Sequence, residues 1–284
     1  MVARANNKRA DHEGEFVLEA ATDLDAYFHS INSDGLIIRL AKNEAEIAQA
    51  LSLRYQIFYE ELGAPASTSI SKNKQDRDEF DESADHLIII DSNLTTHPII
   101  GTTRILRRDT LGKAGRFYSA DEFDLQPLLD FPGKLFELGR TCVHTNYRTR
   151  KAMEVMWRGI SIYVLHHDIK LLFGCASFHG TDLQEHWREL GYLHQNHLAP
   201  EHLRVRASPY TDINSYDRDI GDARAIMRQL PPLLKGYLRL GCWIGDGAYI
   251  DHDFNTIDVL IILMTEKVTT RYYRHYSDAY SAQS

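Results

Sequence analysis

Cysteine is scarce in this chain of 284 residues: Cys142, Cys175 and Cys242 are its only three, odd in number and far apart. Each sits beside apolar residues, so reduced thiols of a cytoplasmic protein are expected, not a disulfide framework or a zinc site. No run approaches the roughly 20 consecutive apolar residues that a membrane-spanning helix needs. The opening stretch MVARANNKRADHEGEF has no apolar core, so no secretory signal is expected. Basic residues are in deficit as well, with 32 Lys plus Arg against 40 Asp plus Glu and a formal net charge of −8. That sign argues against nucleic acid as a partner, because general binding needs a cationic face that displaces counterions from phosphates. No internal repeat or low-complexity tract is present. These absences leave a soluble protein, at most resting against a membrane surface.

What is there is an ordinary globular composition, 43% hydrophobic and 25% charged, enough for a substantial core. Residues 1–33 read as a polar arm. Leu36 to Leu40 reads as a strand, and Asn43 with Glu46 forms a capping-box pattern for a helix. Ile47, Leu51, Tyr55, Phe58 and Leu62 then recur at helical spacing, predicting one buried stripe ended by Gly63 and Pro65. After a polar loop, Ser67 to Asp85, two strands are expected at Leu87–Asp91 and Ile99–Leu106. A helix over Ser119–Leu129, a strand over Leu135–Val143, a helix over Lys151–His167 and a strand over Lys170–Ser177 follow. Asp182 is the expected cap of a helix to Leu190, and Pro231-Pro232 interrupts a helix over Asp222–Arg239. Strands at Trp243–Ile250 and Val259–Thr265 close the pattern. The sum is a mixed α/β sheet flanked by helices, in a single domain from 34 to 284 with a C-terminal extension from about 192.

Arg54-x-x-x-Phe58, Asp78-x-x-Asp81, Arg104 and Glu137-x-x-Arg140 occur in that order. This series resembles the signature of acyl-homoserine lactone synthases, which have the GNAT (acyl-CoA N-acyltransferase) fold. From about Arg54 to Tyr276 the chain is closer to the ornithine–acyl carrier protein N-acyltransferases, the haemolysin-like branch of that superfamily. That similarity takes in Gly174-Cys-Ala-Ser177-Phe-His-Gly-Thr-Asp182 and the tail from Leu230 through Lys235, Arg239 and Asp246. The resemblance implies transfer of a 3-hydroxyacyl chain from acyl carrier protein to the α-amino group of L-ornithine, the first step of ornithine lipid synthesis. It implies acyl carrier protein and ornithine as partners, peripheral contact with the inner membrane, and no tightly bound cofactor. An acyl-homoserine lactone synthase is the second enzyme reading. Against it, Glu61-Leu62-Gly63 ends the first helix without that family's aromatic residue. A non-catalytic carrier- or lipid-binding protein on a GNAT scaffold is the third.

The chemistry needs a group that takes a proton from the acceptor ammonium, since only a neutral amine attacks a thioester; Glu137 is the candidate. In a regular strand Glu137 and Arg140 face opposite sides, so they converge only if the strand is bulged, for which Gly139 is suited. The competing reading is a structural network of Arg54, Asp78, Asp81, Arg104, Glu137 and Arg140, because buried charges must be paired. Ser177 and His179 would donate to the leaving thiolate. Lys235 or Arg239 would hold an amino acid carboxylate, and Asp246 a side-chain ammonium. Asn146 to Ala152, the expected donor loop, contains no glycine. That departure favours a carrier-borne phosphopantetheine over coenzyme A, with Arg148, Arg150 and Lys151, joined by Arg107, Arg108 and Arg116, meeting an acidic carrier. Tyr237, Trp243 and Tyr249 would line an acyl groove. His86 and Asp91 sit five apart across a strand and cannot form a dyad. His166 and His167 are expected to meet a helix dipole at its C-terminus; no metal is expected there or elsewhere.

Overall fold

The computed structural model describes Leu24, Phe28, residues 34–214 and residues 219–266; the rest of the expected arm 1–33 lies outside the described residues. Strand β1 (Leu36–Leu40) leads into α1 (Glu44–Tyr55), where the Asn43 side chain accepts the Glu46 N–H at 3.0 Å. The reciprocal half of the capping box is replaced. Glu46 accepts from the Lys42 N–H at 2.8 Å and from both terminal nitrogens of Arg39, and the Arg39 bond holds its carboxyl below the usual range.

The single buried stripe predicted for this helix stops early. From Gln56 to Glu61 the chain winds as a π-turn, closed by a 2.9 Å bond from the Leu62 N–H to the Ile57 carbonyl. The wider turn rotates later side chains around the axis, so Ile57 is buried while Leu62 is 43% exposed. The polar loop also carries structure: α2 (Thr68–Asn73) and a 3₁₀ turn, Glu79–Glu82.

Strands β2 (Asp85–Asp91) and β3 (Ile99–Arg107) follow as expected. The helix expected over Ser119–Leu129 does not form. A 3₁₀ turn at Tyr118–Asp121, a short strand β4 (Phe123–Asp124) and one turn of α3 (Gln126–Leu129) replace it. Phe123 and Leu125 are both buried, an extended spacing that a helix could not supply. Strand β5 (Leu135–Val143), α4 (Arg150–His166) and β6 (Leu171–His179) form the central parallel crossover. Asp182 caps only a 3₁₀ turn, and α5 begins later, at Trp187, and ends at His197. The rest comprises β7 (Arg206–Ala207), α6 (Ala223–Gln229), α7 (Pro232–Arg239), β8 (Trp243–Ile244), β9 (Tyr249–Asp251) and β10 (Thr256–Met264). Pro231-Pro232 parts α6 from α7 as its missing N–H groups require.

The main sheet has the order β1-β2-β3-β5-β6-β10-β8, with β9 also on β10, while β4 pairs with β7 apart from it. Only β5 and β6 run parallel among its named strand pairs. One face carries Ile38, Leu138, Ala176 and Ile261 against Val155 and Ile160 of α4 and against α7. The other carries Leu106, Phe173, Leu260 and Ile262 against Phe117 and Phe123 of the long connection before β5. A third, smaller cluster joins Ile88, Ile99 and Cys142 of the strands to Ala50 and Leu53 of α1 and to Ile57. Alternate residues of each strand thus pack into separate cores, which is the period-2 pattern that made these strands legible.

Candidate active site

The pairing of β5 with β6 ends after three residue pairs, Leu135↔Leu171, Phe136↔Leu172 and Glu137↔Phe173. Beyond them β5 stays with β3 and β6 stays with β10, so the two strands part. At the parting point the backbones approach so closely that a Cβ on Gly174 would lie 2.1 Å from the Leu138 carbonyl oxygen. Glycine is required there by space. A bulge on β5 turns the strand further. Thr102 faces Cys142 and Arg104 faces Gly139, so β5 spends one residue more than β3, and Arg140 takes a left-handed φ of 51°. The expected bulge is therefore present, but the left-handed residue is Arg140, not Gly139.

A cavity of about 200 Å³ fills the gap between the strands. Because neighbouring strand residues point to opposite faces, its two sides differ in chemistry. Leu138, Ala176, Leu234 and Tyr237, all from the α4–α7 core, supply an apolar side. Glu137, Cys175, Asp251, Asp258, Tyr118 and Phe254 supply the other.

Glu137 is 2% exposed, and each of its oxygens accepts one backbone N–H, from Tyr118 at 2.7 Å and from Ser119 at 2.9 Å. Burial pushes its carboxyl above the ordinary range, against the lowering effect of those hydrogen bonds. Arg140 lines the same cavity without bonding Glu137. Its guanidinium lies 4.6 Å from the Tyr118 ring centroid and 4.2 Å from that of Phe254, and its Nε donates to Asp76 at 3.2 Å. The two residues meet on either side of Tyr118, not directly.

Arg54, Asp78, Asp81 and Arg104 do not reach the cavity lining. They form the ion network behind it. Arg54 donates from Nε to Asp76 and from Nη1 to Asp81, both at 2.7 Å, and Arg104 Nη1 donates to Asp78 at 2.5 Å and to Asp81 at 3.2 Å. Asp76, which the motif spacing did not single out, joins Arg54 to Arg140 and accepts the Tyr59 hydroxyl at 3.1 Å. Three arginines thus face three aspartates, so the charges cancel within a buried cluster.

Ser177 and His179 line the cavity on β6. Lys235, Arg239 and Asp246 do not. The Lys235 ammonium donates to the Arg228 carbonyl at 2.7 Å, and Asp246 accepts the Tyr210 hydroxyl at 3.2 Å beside the β7 bridge. Of the aromatics expected in a groove, Tyr237 lines the cavity, whereas Trp243 and Tyr249 pack against the opposite core. The six cations expected to meet a carrier do not form one patch. Arg148, Arg150 and Lys151 follow the end of β5, where Thr149 caps α4 by accepting the Ala152 N–H. Arg107 pairs with Phe136 at the start of β5, at the far end of the strand, and Arg108 is spent on the carbonyls of Leu129, Phe131 and Gly133. Arg116 is paired with Glu79 and Asp121. Lys151 pairs with Asp34, and Arg148 with Glu61.

His86 meets the Asp81 carbonyl at 3.3 Å, and Asp91 accepts the Tyr147 hydroxyl at 2.6 Å, so the two remain apart as strand geometry requires. His167 does not meet the α4 dipole as a cation. Burial and the neighbouring Arg107 push it to about 4, and its neutral ring accepts from Arg107 at 3.0 Å.

The sequence reading missed Glu122 and Asp258 altogether. Both are buried, and with Cys175 they bring ligand-type atoms within 4.8 Å of one another. Cys175 donates its thiol hydrogen to Glu122 at 3.1 Å. Burial first, and the charge of the partner or of Asp251 next, raise both carboxyls above their ordinary values. No local signal could reveal this cluster, because Glu122 precedes β4 while Cys175 and Asp258 lie on neighbouring strands.

The mixed sheet, flanked by helices and opened between two parallel strands, is a GNAT (acyl-CoA N-acyltransferase) fold, and its relatives make the chain an acyltransferase of that superfamily. The acetyltransferase (GNAT) domain family matches residues 53–158. The chain is 40% identical to the L-ornithine N(alpha)-acyltransferase of Rhodobacter capsulatus, over 84% of this chain and 94% of that protein. It is 42% identical to the Brucella abortus enzyme of the same name, over 85% of this chain and 88% of that one. The chain belongs to the L-ornithine N(alpha)-acyltransferase family. Among solved structures it is similar to an N-acyl amino acid synthase from uncultured soil microbes, at 14% identity and a TM-score of 0.42 over 81% of this chain and 90% of that one. That likeness is too distant to add to the family assignment. No helix among the described residues is long and apolar enough to cross a membrane.

Proposed function

We propose that this protein transfers a 3-hydroxyacyl chain from acyl carrier protein to the α-amino group of L-ornithine, as the first step of ornithine lipid synthesis. The observation that carries the reading is the cavity through the parted strands, apolar on one side and charged on the other, in a chain of this family. Unpaired strand edges at the parting suit the amide-bearing pantetheine arm, which adds like a short extra strand. The apolar side suits the acyl chain, and the charged side suits an amino acid with Arg140 toward its carboxylate.

Glu137 takes one proton from the acceptor ammonium. The neutral nitrogen attacks the thioester carbon, the C–S bond breaks, and the second nitrogen-bound proton leaves with the thiolate through Ser177 or His179. Attack is direct, without an acyl-enzyme: burial holds the Cys175 thiol well above its usual value, and it donates to Glu122 instead of ionising. Four of the motif residues, Arg54, Asp78, Asp81 and Arg104, act by fixing Arg140 and the bulge. The glycine-free N-terminus of α4, with exposed Arg150, suits the single phosphodiester of a carrier arm and an acidic carrier surface. The lipid product brings the enzyme to the inner membrane surface.

The test is turnover of acyl carrier protein and coenzyme A thioesters with ornithine, read by mass. N-acylornithine formed in preference from the carrier thioester is the expected result; acylation of a non-amino-acid amine alone refutes the reading. Glu137→Gln is expected to lower kcat by about 100-fold, the usual scale of positioned proton transfer. It should also change the acid limb of the pH–rate profile, since the raised Glu137 carboxyl ionises only above the ordinary carboxylate range, leaving the part set by the likewise raised Glu122 and Asp258. Unchanged turnover removes Glu137 from the mechanism.

A further inference from the structure

Three carboxylates stand on the charged side of the cavity or against it with no cationic side chain paired to them. Asp251 and Asp258 line it, and Glu122 joins them through Cys175. Among the described residues none of the three forms an ion pair. This contrasts with the neighbouring network, where every aspartate meets an arginine. Asp258 is 4% exposed; the Ser177 and Thr256 hydroxyls and the Arg140 charge lie near enough to act on its carboxyl, yet its Oδ1 is left without a hydrogen-bond partner. A buried acceptor without a donor is costly, and here the acceptor borders a cavity that a ligand can enter. The missing partner is therefore a donor, and the surrounding charge calls for a cationic one.

We propose that Glu122, Asp251 and Asp258 form the subsite that receives the side-chain ammonium of the acceptor and so selects ornithine over neutral amino acids. The inference rests on the ornithine reading given above and deepens it. An ammonium offers three donors in a compact head, which suits converging carboxylate oxygens. A divalent metal fits less well. The Cys175 thiol keeps its hydrogen for Glu122, which leaves at most the three carboxylates where a zinc site wants four ligands and a hard cation six or more. Asp251 contributes charge more than contact, since its Oδ1 already accepts the Asp253 and Phe254 N–H groups. Asp246, placed beside Tyr210 and off the cavity, leaves this task to the cluster.

The experiment compares kcat/KM for ornithine with that for norvaline, the same carbon chain without the ammonium, at saturating acyl carrier thioester. The wild-type protein is expected to prefer ornithine by at least about 100-fold, since a site built for a polar group strongly rejects an analogue that lacks it. Asp258→Asn and Glu122→Gln are each expected to lower the ornithine-to-norvaline ratio by about tenfold or more. Equal use of the two acceptors by the wild type overturns the subsite while leaving N-acylation of ornithine standing. A wild type that acylates norvaline but not ornithine refutes the parent reading and the subsite together. Variants whose two rates fall in parallel show a structural role only and also overturn it. Loss of wild-type activity on dialysis against EDTA, restored by zinc or manganese, would replace the ammonium with a metal.

Discussion

Asp81 offers the sharpest test of the ion network behind the cavity. Its side chain is inaccessible to solvent and accepts from Arg54 at 2.7 and 3.3 Å, from Arg104 at 3.2 Å and from the Asp78 N–H at 2.9 Å. Burial raises its carboxyl, but the Arg54 and Arg104 charges outweigh that and hold it at about 2 instead of 3.8. A difference of that size corresponds to about 2–3 kcal/mol of stability at neutral pH. Asp81→Asn removes it and leaves two buried guanidinium groups short of an anion, so the loss is expected at about 3–5 kcal/mol. For a chain of this size that is a fall in Tm of about 6–15 °C. The sign with pH is fixed. The folded carboxyl lies below its unfolded value, so its stabilisation is complete above about pH 4 and disappears as the pH falls toward 2. The gap between wild type and variant in urea midpoint, followed by circular dichroism, is expected to narrow over that window. A variant within about 1 kcal/mol of wild type at pH 7 refutes the network as a stabilising element.

Gly174→Ala places a methyl group against the Leu138 carbonyl, which is backbone and cannot rotate away. It is expected to cost about 2–3 kcal/mol in a denaturant melt and to abolish acyl transfer, because β5 and β6 must separate earlier. A fully active, equally stable variant would show that the close approach does not set the parting. Arg150→Glu, at the exposed start of α4, is expected to raise KM for the acyl carrier thioester severalfold, with the effect fading at high salt. A KM insensitive to this reversal argues against a carrier docking at that end.

Much of the sheet was legible because its strands are apolar on both faces or strictly alternating, a local signal carried by runs such as Leu36–Leu40 and Leu135–Val143. The bulge was legible only as a condition: Glu137 and Arg140 share a site only if β5 departs from a regular strand. The π-turn after Tyr55 was not, because Phe58 and Leu62 fit the α-helical period equally well and only packing decides the turn. The helix expected over Ser119–Leu129 failed for a similar reason. Phe123 pairs with Ala207, and that tertiary pairing overrides a weak local preference.

By itself, then, the sequence determined the strand and helix periods, the acidic balance, and the ordered series of arginines and aspartates. The tertiary structure alone decided which charges cancel and which do not. Arg54, Arg104 and Arg140 neutralise Asp76, Asp78 and Asp81, while Glu122, Asp251 and Asp258 are brought together with no ion pair among the described residues. The reason is physical. A side chain's period is written in its neighbours along the chain, whereas its burial and its charge partners depend on strand register between segments remote in sequence.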